Sequence, residues 1–173
     1  MRRLFELLLA LSILTTSGCQ ISTGSSTPEA GGGQQDSAPR VNAKKLKALE
    51  NLSDPVVTDL ERSRWGNPDA YTELGKQYRL LETNDGYSET GLASWYGTKF
   101  HGRRTSSGQT FDMYQLTAAH KTLPIPVFAK VTNLRNKKET IVLINDRVPF
   151  HADRLIDLSF AAAVKLGFHE EGT

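Results

Sequence analysis

Residues Glu139–Phe150 read ETIVLINDRVPF. Four consecutive aliphatic side chains, Ile141 to Ile144, predict a buried strand, and Asn145, Asp146, Arg147 and Pro149 close it. Side chains alternate across a strand, so Asp146 and Arg147 point to opposite faces if the strand runs through both. At least one of them then serves something other than their mutual ion pair. Local sequence leaves two readings for Asp146: a strand-closing carboxylate paired with its neighbour, or a proton donor at the rim of a cleft.

Outward from this strand the pattern stays β-rich. VFAKVTN alternates its faces and joins the strand through the turn RNKK. QLTAAH and GLASWYG read as earlier short strands, separated by a Gly-, Ser-, Thr- and Arg-rich loop from Thr98 to Thr110. RLIDL is a further strand, after which Ser159 caps a helix, FAAAVKL, that Gly167 terminates. Short strands followed by one late helix predict a mainly β domain, a small barrel over residues 91–173. The pattern stops at HEEGT, where a closing strand is wanted, so the barrel is expected to lack it.

Upstream, RWGNPDAY supplies turn signals and TELGKQYRLLE has strand and turn character, so residues 65–90 are expected to form an extended arm on the domain surface. Residues 19–64 are expected to be a flexible tether. From Gln20 to about Arg40 they hold almost no large apolar group, and the helical spacing of Leu46, Leu49 and Leu52 is weak. Residues 1–18 carry Arg2 and Arg3, an apolar run broken only by Glu6, then Gly18 before Cys19, the one cysteine of the chain. That layout is a secretory signal. It resembles a bacterial lipoprotein signal, which implies acylation of Cys19 and anchoring to a membrane without a spanning helix. Gln20 in the following position implies the outer membrane, facing the periplasm. A formal net charge of +2, without single-sign blocks, gives no support for a nucleic-acid partner.

Few residue sets suit chemistry. None of His101, His120, His151 and His169 pairs with another at helical ligand spacing, and one cysteine makes no cluster, so neither a metal site nor a cofactor is expected. There is no G-x-S-x-G elbow for a serine hydrolase. In GRRTSSGQTFDM, Thr105, Ser106 and Ser107 offer hydroxyls, Gly108 lets a neighbour come close, and Gln109 offers an amide: either a surface loop or a face for sugar hydroxyls. His120, at the end of its strand, is either a hydrogen-bonded structural group or a catalyst. Trp95 and Tyr96 either pack the barrel or stack on a sugar ring.

Taken in order, GLASWYG, FHGRRTSSGQTFDM, LTAAHKTLP, VTNL, INDRVPF and RLIDLSFAAAVKLG, with the arm GNPDAYTELGKQY before them, resemble the rare lipoprotein A (RlpA) family of bacterial cell-wall proteins. The resemblance implies a double-psi β-barrel and lytic transglycosylase activity on peptidoglycan strands stripped of stem peptides. It places the family's aspartate on Asp146 and its histidine on His120; beside it, the reading of the residues themselves offers Gln109, Thr105, Ser107, Trp95, Tyr96 and Arg147 as groups expected to meet the glycan. Where the family carries a glutamate, this chain has Gln109, an amide that holds a hydroxyl but exchanges no proton at neutral pH. Proton transfer is therefore expected to fall on Asp146, and a peptidoglycan-binding lipoprotein with weak or no turnover is the alternative. Asp112 and Asp153 are the nearest substitute acids along the chain. Val148 stands where the family has glycine.

Overall fold

The computed structural model describes residues 36–147 and 153–171, all within one compact unit, Gln34–Thr173. Cys19, Val148, Phe150 and His151 lie outside the described residues. The elements run α1 (Ala43–Glu50), β1 (Ala70–Glu73), β2 (Lys76–Arg79), β3 (Leu92–Tyr96), β4 (Thr117–His120), β5 (Val127–Thr132), β6 (Glu139–Asp146), β7 (Arg154–Ser159) and α2 (Phe160–Leu166). The opening stretch is β6. Thr140, Val142 and Ile144 are buried while Ile141 and Leu143 are only half-covered, so one face of the strand is core and the other is partly open, Leu143 lining a groove with Leu52 and Pro55.

β3 to β7 form one mixed sheet in the order β3-β7-β4-β6-β5. β3 runs parallel to β7 and β4 parallel to β6, whereas β4/β7 and β5/β6 are antiparallel. The outer strands β3 and β5 each pair on one side among the described residues. The β4/β6 register slips: Ala118 faces Ile144, but Ala119 faces Asp146. Asn145 is thus the extra residue of a bulge, a device that re-aims the side chains beyond it.

α2 lies against β6, β3 and β7. Its three alanines, Ala161 to Ala163, have no exposed surface, and side chains this short let the helix approach the strands closely. The caps are those expected: Ser159 Oγ accepts the Ala162 amide at 3.2 Å, and Gly167 takes the left-handed conformation, φ 74°.

Part of the expected tether is packed structure: residues 43–54 dock on the domain, while Val56 and Val57 beyond them are exposed. Asn42 caps α1 by accepting the Lys45 amide at 2.9 Å, and Leu49, 2 % exposed, enters the core while α1 packs on α2. Just beyond, Lys165 donates to Leu52 O at 2.6 Å and pairs with Asp54, whose carboxylate also accepts from Thr140 Oγ1 at 2.7 Å. The weak apolar spacing misled because one deeply buried leucine, helped by polar straps, suffices to dock a two-turn helix. Residues 65–90 hold the hairpin β1/β2, turning through Leu74 and Gly75 with positive φ at both, as a two-residue hairpin requires.

Candidate active site

The loop from Arg103 to Phe111 folds back on itself. Phe111, 2 % exposed, anchors it, and its amide bonds Arg103 O at 2.8 Å while the Thr105 amide bonds Gln109 O at 2.8 Å. Within the loop Thr105 and Ser107 turn inward. Both are buried; their hydroxyls lie 3.1 Å apart, and the Ser107 amide donates to Asn145 O at 3.2 Å. They hold the loop on the end of β6 and are not presented to a glycan, contrary to the expectation.

Ser106, between them, meets Asp146. Its amide (2.8 Å) and hydroxyl (2.6 Å) donate to Asp146 Oδ1, which also accepts the Arg147 amide at 2.8 Å. One carboxylate oxygen is saturated, while Oδ2 has no donor among the described residues. Among the described residues, Oδ2 is thus the oxygen of this half-buried side chain that keeps its lone pairs free.

Arg147 does not pair its guanidinium with Asp146, nor does it face a ligand. Buried at 8 % exposure, it donates Nε to Gly66 O (2.7 Å), Nη1 to His120 O (3.1 Å) and Leu123 O (2.5 Å), and Nη2 to Asn67 Oδ1 (2.9 Å). It is a staple between the arm and the barrel, not the substrate-binding group expected. Burial, the largest cause, lowers its pKa to about 10, so it stays charged at neutral pH. Sequence alternation correctly sent Asp146 and Arg147 to different places, but only the tertiary fold gave the guanidinium its four acceptors.

His120, 3 % exposed, accepts on Nδ1 the amides of Thr122 (3.2 Å) and Leu123 (3.0 Å). Two donors at Nδ1 require the neutral ring to carry its proton on Nε2. Nε2 lies 2.9 Å from the Tyr87 hydroxyl, which lies 2.7 Å from Glu89 Oε2. The proton order this imposes is Nε2–H to Tyr87, then Tyr87 O–H to the carboxylate. Burial lowers the His120 pKa to about 4, the Glu89 charge opposing and the Arg147 and Lys121 charges assisting. Tyr87 and Glu89 were not singled out in the sequence, and no local signal marks them: they reach His120 from 33 residues upstream only because the arm wraps.

Gln109 is exposed and its Oε1 accepts Asn145 Nδ2 at 2.7 Å. Both line a groove of about 370 Å³ whose walls include Asp112, Thr117, Leu143 and Phe128; neither Asp146 nor His120 is among its walls. The buried Oδ1 of Asn145 has no donor among the described residues. Of the two substitute acids, Asp112 lies in the groove with Gln109, its Oδ1 accepting the Tyr114 amide at 2.9 Å.

Trp95 and Tyr96 are core, not sugar platforms. They are 5 % and 6 % exposed; Trp95 packs edge-on to Phe160 at 5.4 Å, and Tyr96 stacks on Phe111 at 4.1 Å. Burial raises the Tyr96 pKa well above that of a free phenol, with the Asp146 charge adding to it. The alternation of β3 could not show this, because both its faces are covered, by Phe160 of α2 and by Phe111 of the following loop.

Residues 88–173, which contain this whole arrangement except the arm, match a protein family described as lytic transglycolase. Curated relatives named endolytic peptidoglycan transglycosylase RlpA agree. That of Vibrio cholerae is 45 % identical over 173 residues, all of this chain and 61 % of that protein. That of Pseudomonas aeruginosa is 59 % identical over 125 residues, 72 % of this chain and 36 % of its own length. The chain belongs to the RlpA family. A third relative of the same name, from Neisseria meningitidis serogroup B, is 48 % identical over 126 residues, 73 % of this chain and 53 % of that protein. The chain thus spans between about a third and two thirds of the length of these relatives. With this membership the mixed sheet and late helix are those of a double-psi β-barrel.

Proposed function

We propose that the chain is a lytic transglycosylase that cuts the bond between N-acetylmuramic acid and N-acetylglucosamine in peptidoglycan strands lacking stem peptides, with Asp146 as the proton carrier. The observation that carries this reading is the asymmetry of Asp146: Oδ1 is saturated by three donors, while Oδ2 has none among the described residues. Such a carboxyl has a fixed orientation and one usable oxygen. Oδ2–H protonates the glycosidic oxygen as the bond from C1 breaks; the resulting carboxylate then accepts the proton of the sugar's own C6 hydroxyl as O6 bonds to C1. The product is a 1,6-anhydro end; no water is consumed, and one carboxyl serves both steps. His120, neutral and tied on both nitrogens, is a hydrogen-bonding and positioning group in this scheme rather than a second proton carrier.

The test is digestion of amidase-stripped glycan strands with product ends read by mass spectrometry. Anhydro-ended fragments from the unmodified chain, lost in Asp146→Asn, support the reading; no anhydro product from the unmodified chain sinks it. A second reading, a peptidoglycan-binding lipoprotein without turnover, draws on Gln109, whose amide presents no exchangeable proton to the groove. It requires co-sedimentation with stripped peptidoglycan and no product. In either case we infer a lipid anchor at Cys19 and residence at the outer membrane, facing the periplasm, from the N-terminal pattern. Labelling with radioactive palmitate, absent in Cys19→Ala, is the check.

A further inference from the structure

Two tryptophans occur in the chain, and the one the sequence recommended for sugar stacking is buried. The other, Trp65, is 62 % exposed. It is not loose: residues 63–67, SRWGN, are fastened to the barrel on both sides of it. The Ser63 amide bonds Ile125 O at 3.0 Å, and Ser63 Oγ bonds Ser107 O at 3.2 Å while accepting the Trp65 amide at 3.0 Å. Asn67 exchanges two bonds with the Ile125 backbone, at 2.6 and 2.9 Å, and Arg147 holds Gly66 O and Asn67 Oδ1. Gly66, φ 74°, approaches so closely that a Cβ there would stand 2.7 Å from Ser106 O.

This clamp sets the indole beside the hydroxyl-rich loop. A Cβ on Gly108 would stand 3.3 Å from Trp65 Cδ1, so the ring rests on the side that only glycine leaves open; this is the close neighbour that Gly108 was expected to admit. Gly108 adjoins Gln109 and is two residues from Ser106, whose amide and hydroxyl hold Asp146. Two residues of chain span ~7 Å at most, so the indole lies close along the loop to the Asp146 carboxylate, whose Oδ2 has no donor among the described residues. Scattered exposed aliphatics, such as Val56 at 81 %, need no explanation. A rigidly held, mostly exposed indole flanked by polar groups does, because large aromatics in that setting supply contact area at little cost in conformational freedom.

We propose that Trp65 is the aromatic platform that carries one sugar ring of the glycan beside Asp146. The apolar C–H face of a pyranose lies on the indole while its hydroxyls meet the polar loop. The proposal rests on the glycan-cleaving reading above and adds the residue that positions the strand.

The experiment uses the full chain and soluble, amidase-stripped glycan strands, with binding measured in an Asp146→Asn background so that no turnover occurs. Acrylamide quenching reads mainly Trp65, Trp95 being 5 % exposed. Glycan is expected to shield that quenching, and Trp65→Ala to weaken binding roughly three- to tenfold, with Trp65→Tyr retaining most of it. With Asp146 intact, Trp65→Ala should raise KM by the same factor and leave kcat nearly unchanged, as for lost uniform binding. An exposed position also predicts an unchanged Tm, and the non-aromatic Trp65→Leu serves as a second variant should the alanine chain fold poorly. Binding and KM unchanged in Trp65→Ala or Trp65→Leu, with the parent binding glycan, overturn this inference alone. A parent chain that neither binds nor cleaves glycan overturns the reading beneath it as well.

Discussion

The buried His120 gives the chain an acid-sensitive stability whose size follows from its surroundings. Nδ1 accepts two backbone amides, so a proton arriving there displaces both bonds in a site where the ring is only 3 % exposed. The folded pKa is lowered to about 4, whereas the unfolded chain takes up that proton near pH 6.5. Between these values the unfolded state binds more protons, so stability rises with pH across the window. The contribution is complete above about pH 7, declines as pH falls through 6.5, and is fully lost below about 4. The gap corresponds to about 3 kcal/mol, most of it already lost at pH 4.5. Carboxylates titrate in the same range, so the assay must be differential: urea unfolding at pH 7.5 and 4.5 for the parent and for His120→Asn. In the variant, Oδ1 takes the place of Nδ1 as acceptor and nothing titrates. The parent should lose about 2–3 kcal/mol more than the variant between the two pH values. Equal losses, or a His120 ring titrating near pH 6.5 by NMR, would refute the reasoning, and with it the assignment of a neutral histidine held by Tyr87.

Replacing Arg147 with Met leaves three backbone carbonyls and the Asn67 amide oxygen without their donor, and should cost about 3 kcal/mol or more in urea unfolding, with Arg147→Lys intermediate. A change within 1 kcal/mol would mean that the staple is dispensable. Leu49→Ala should lower stability by about 2–3 kcal/mol, whereas a residue in a free tether would leave the urea midpoint in place. Gln109→Glu keeps an acceptor for Asn145 Nδ2 and adds a proton-exchanging group, so release of anhydro ends should rise by about 10²-fold; no rise would show that Asp146 already suffices. Ser106→Ala removes one of the three donors on Asp146 Oδ1 and should lower the rate about fivefold, read as kcat on stripped glycan.

Much of the barrel was legible because local rules and tertiary packing agree in it. The aliphatic run of β6, the alternation of β5, and the Ser159 and Gly167 caps of α2 each express a preference that the fold then uses. The parting of Asp146 from the Arg147 guanidinium was legible for the same reason, since neighbours on a strand point to opposite faces. The errors fall where a side chain's surroundings come from distant chain. Trp95 and Tyr96 look like platforms until Phe160 and Phe111 close over them, and Thr105 and Ser107 look like open hydroxyls until the loop folds onto β6.

The sequence by itself determined the strands, the late helix and the acid at the strand end, because periodicity, caps and β-branched runs act within a few residues. Only the tertiary structure decided which groups surround that acid. It set Ser106 on Oδ1, buried Arg147 as a staple, sealed His120 under Tyr87 and left Trp65 exposed on Gly108. Those contacts join residues 24 to 81 positions apart, and their partners are chosen by how the arm wraps and where the bulge at Asn145 turns the strand. Such choices depend on burial and on the satisfaction of every polar group brought inside, which no short window of sequence encodes.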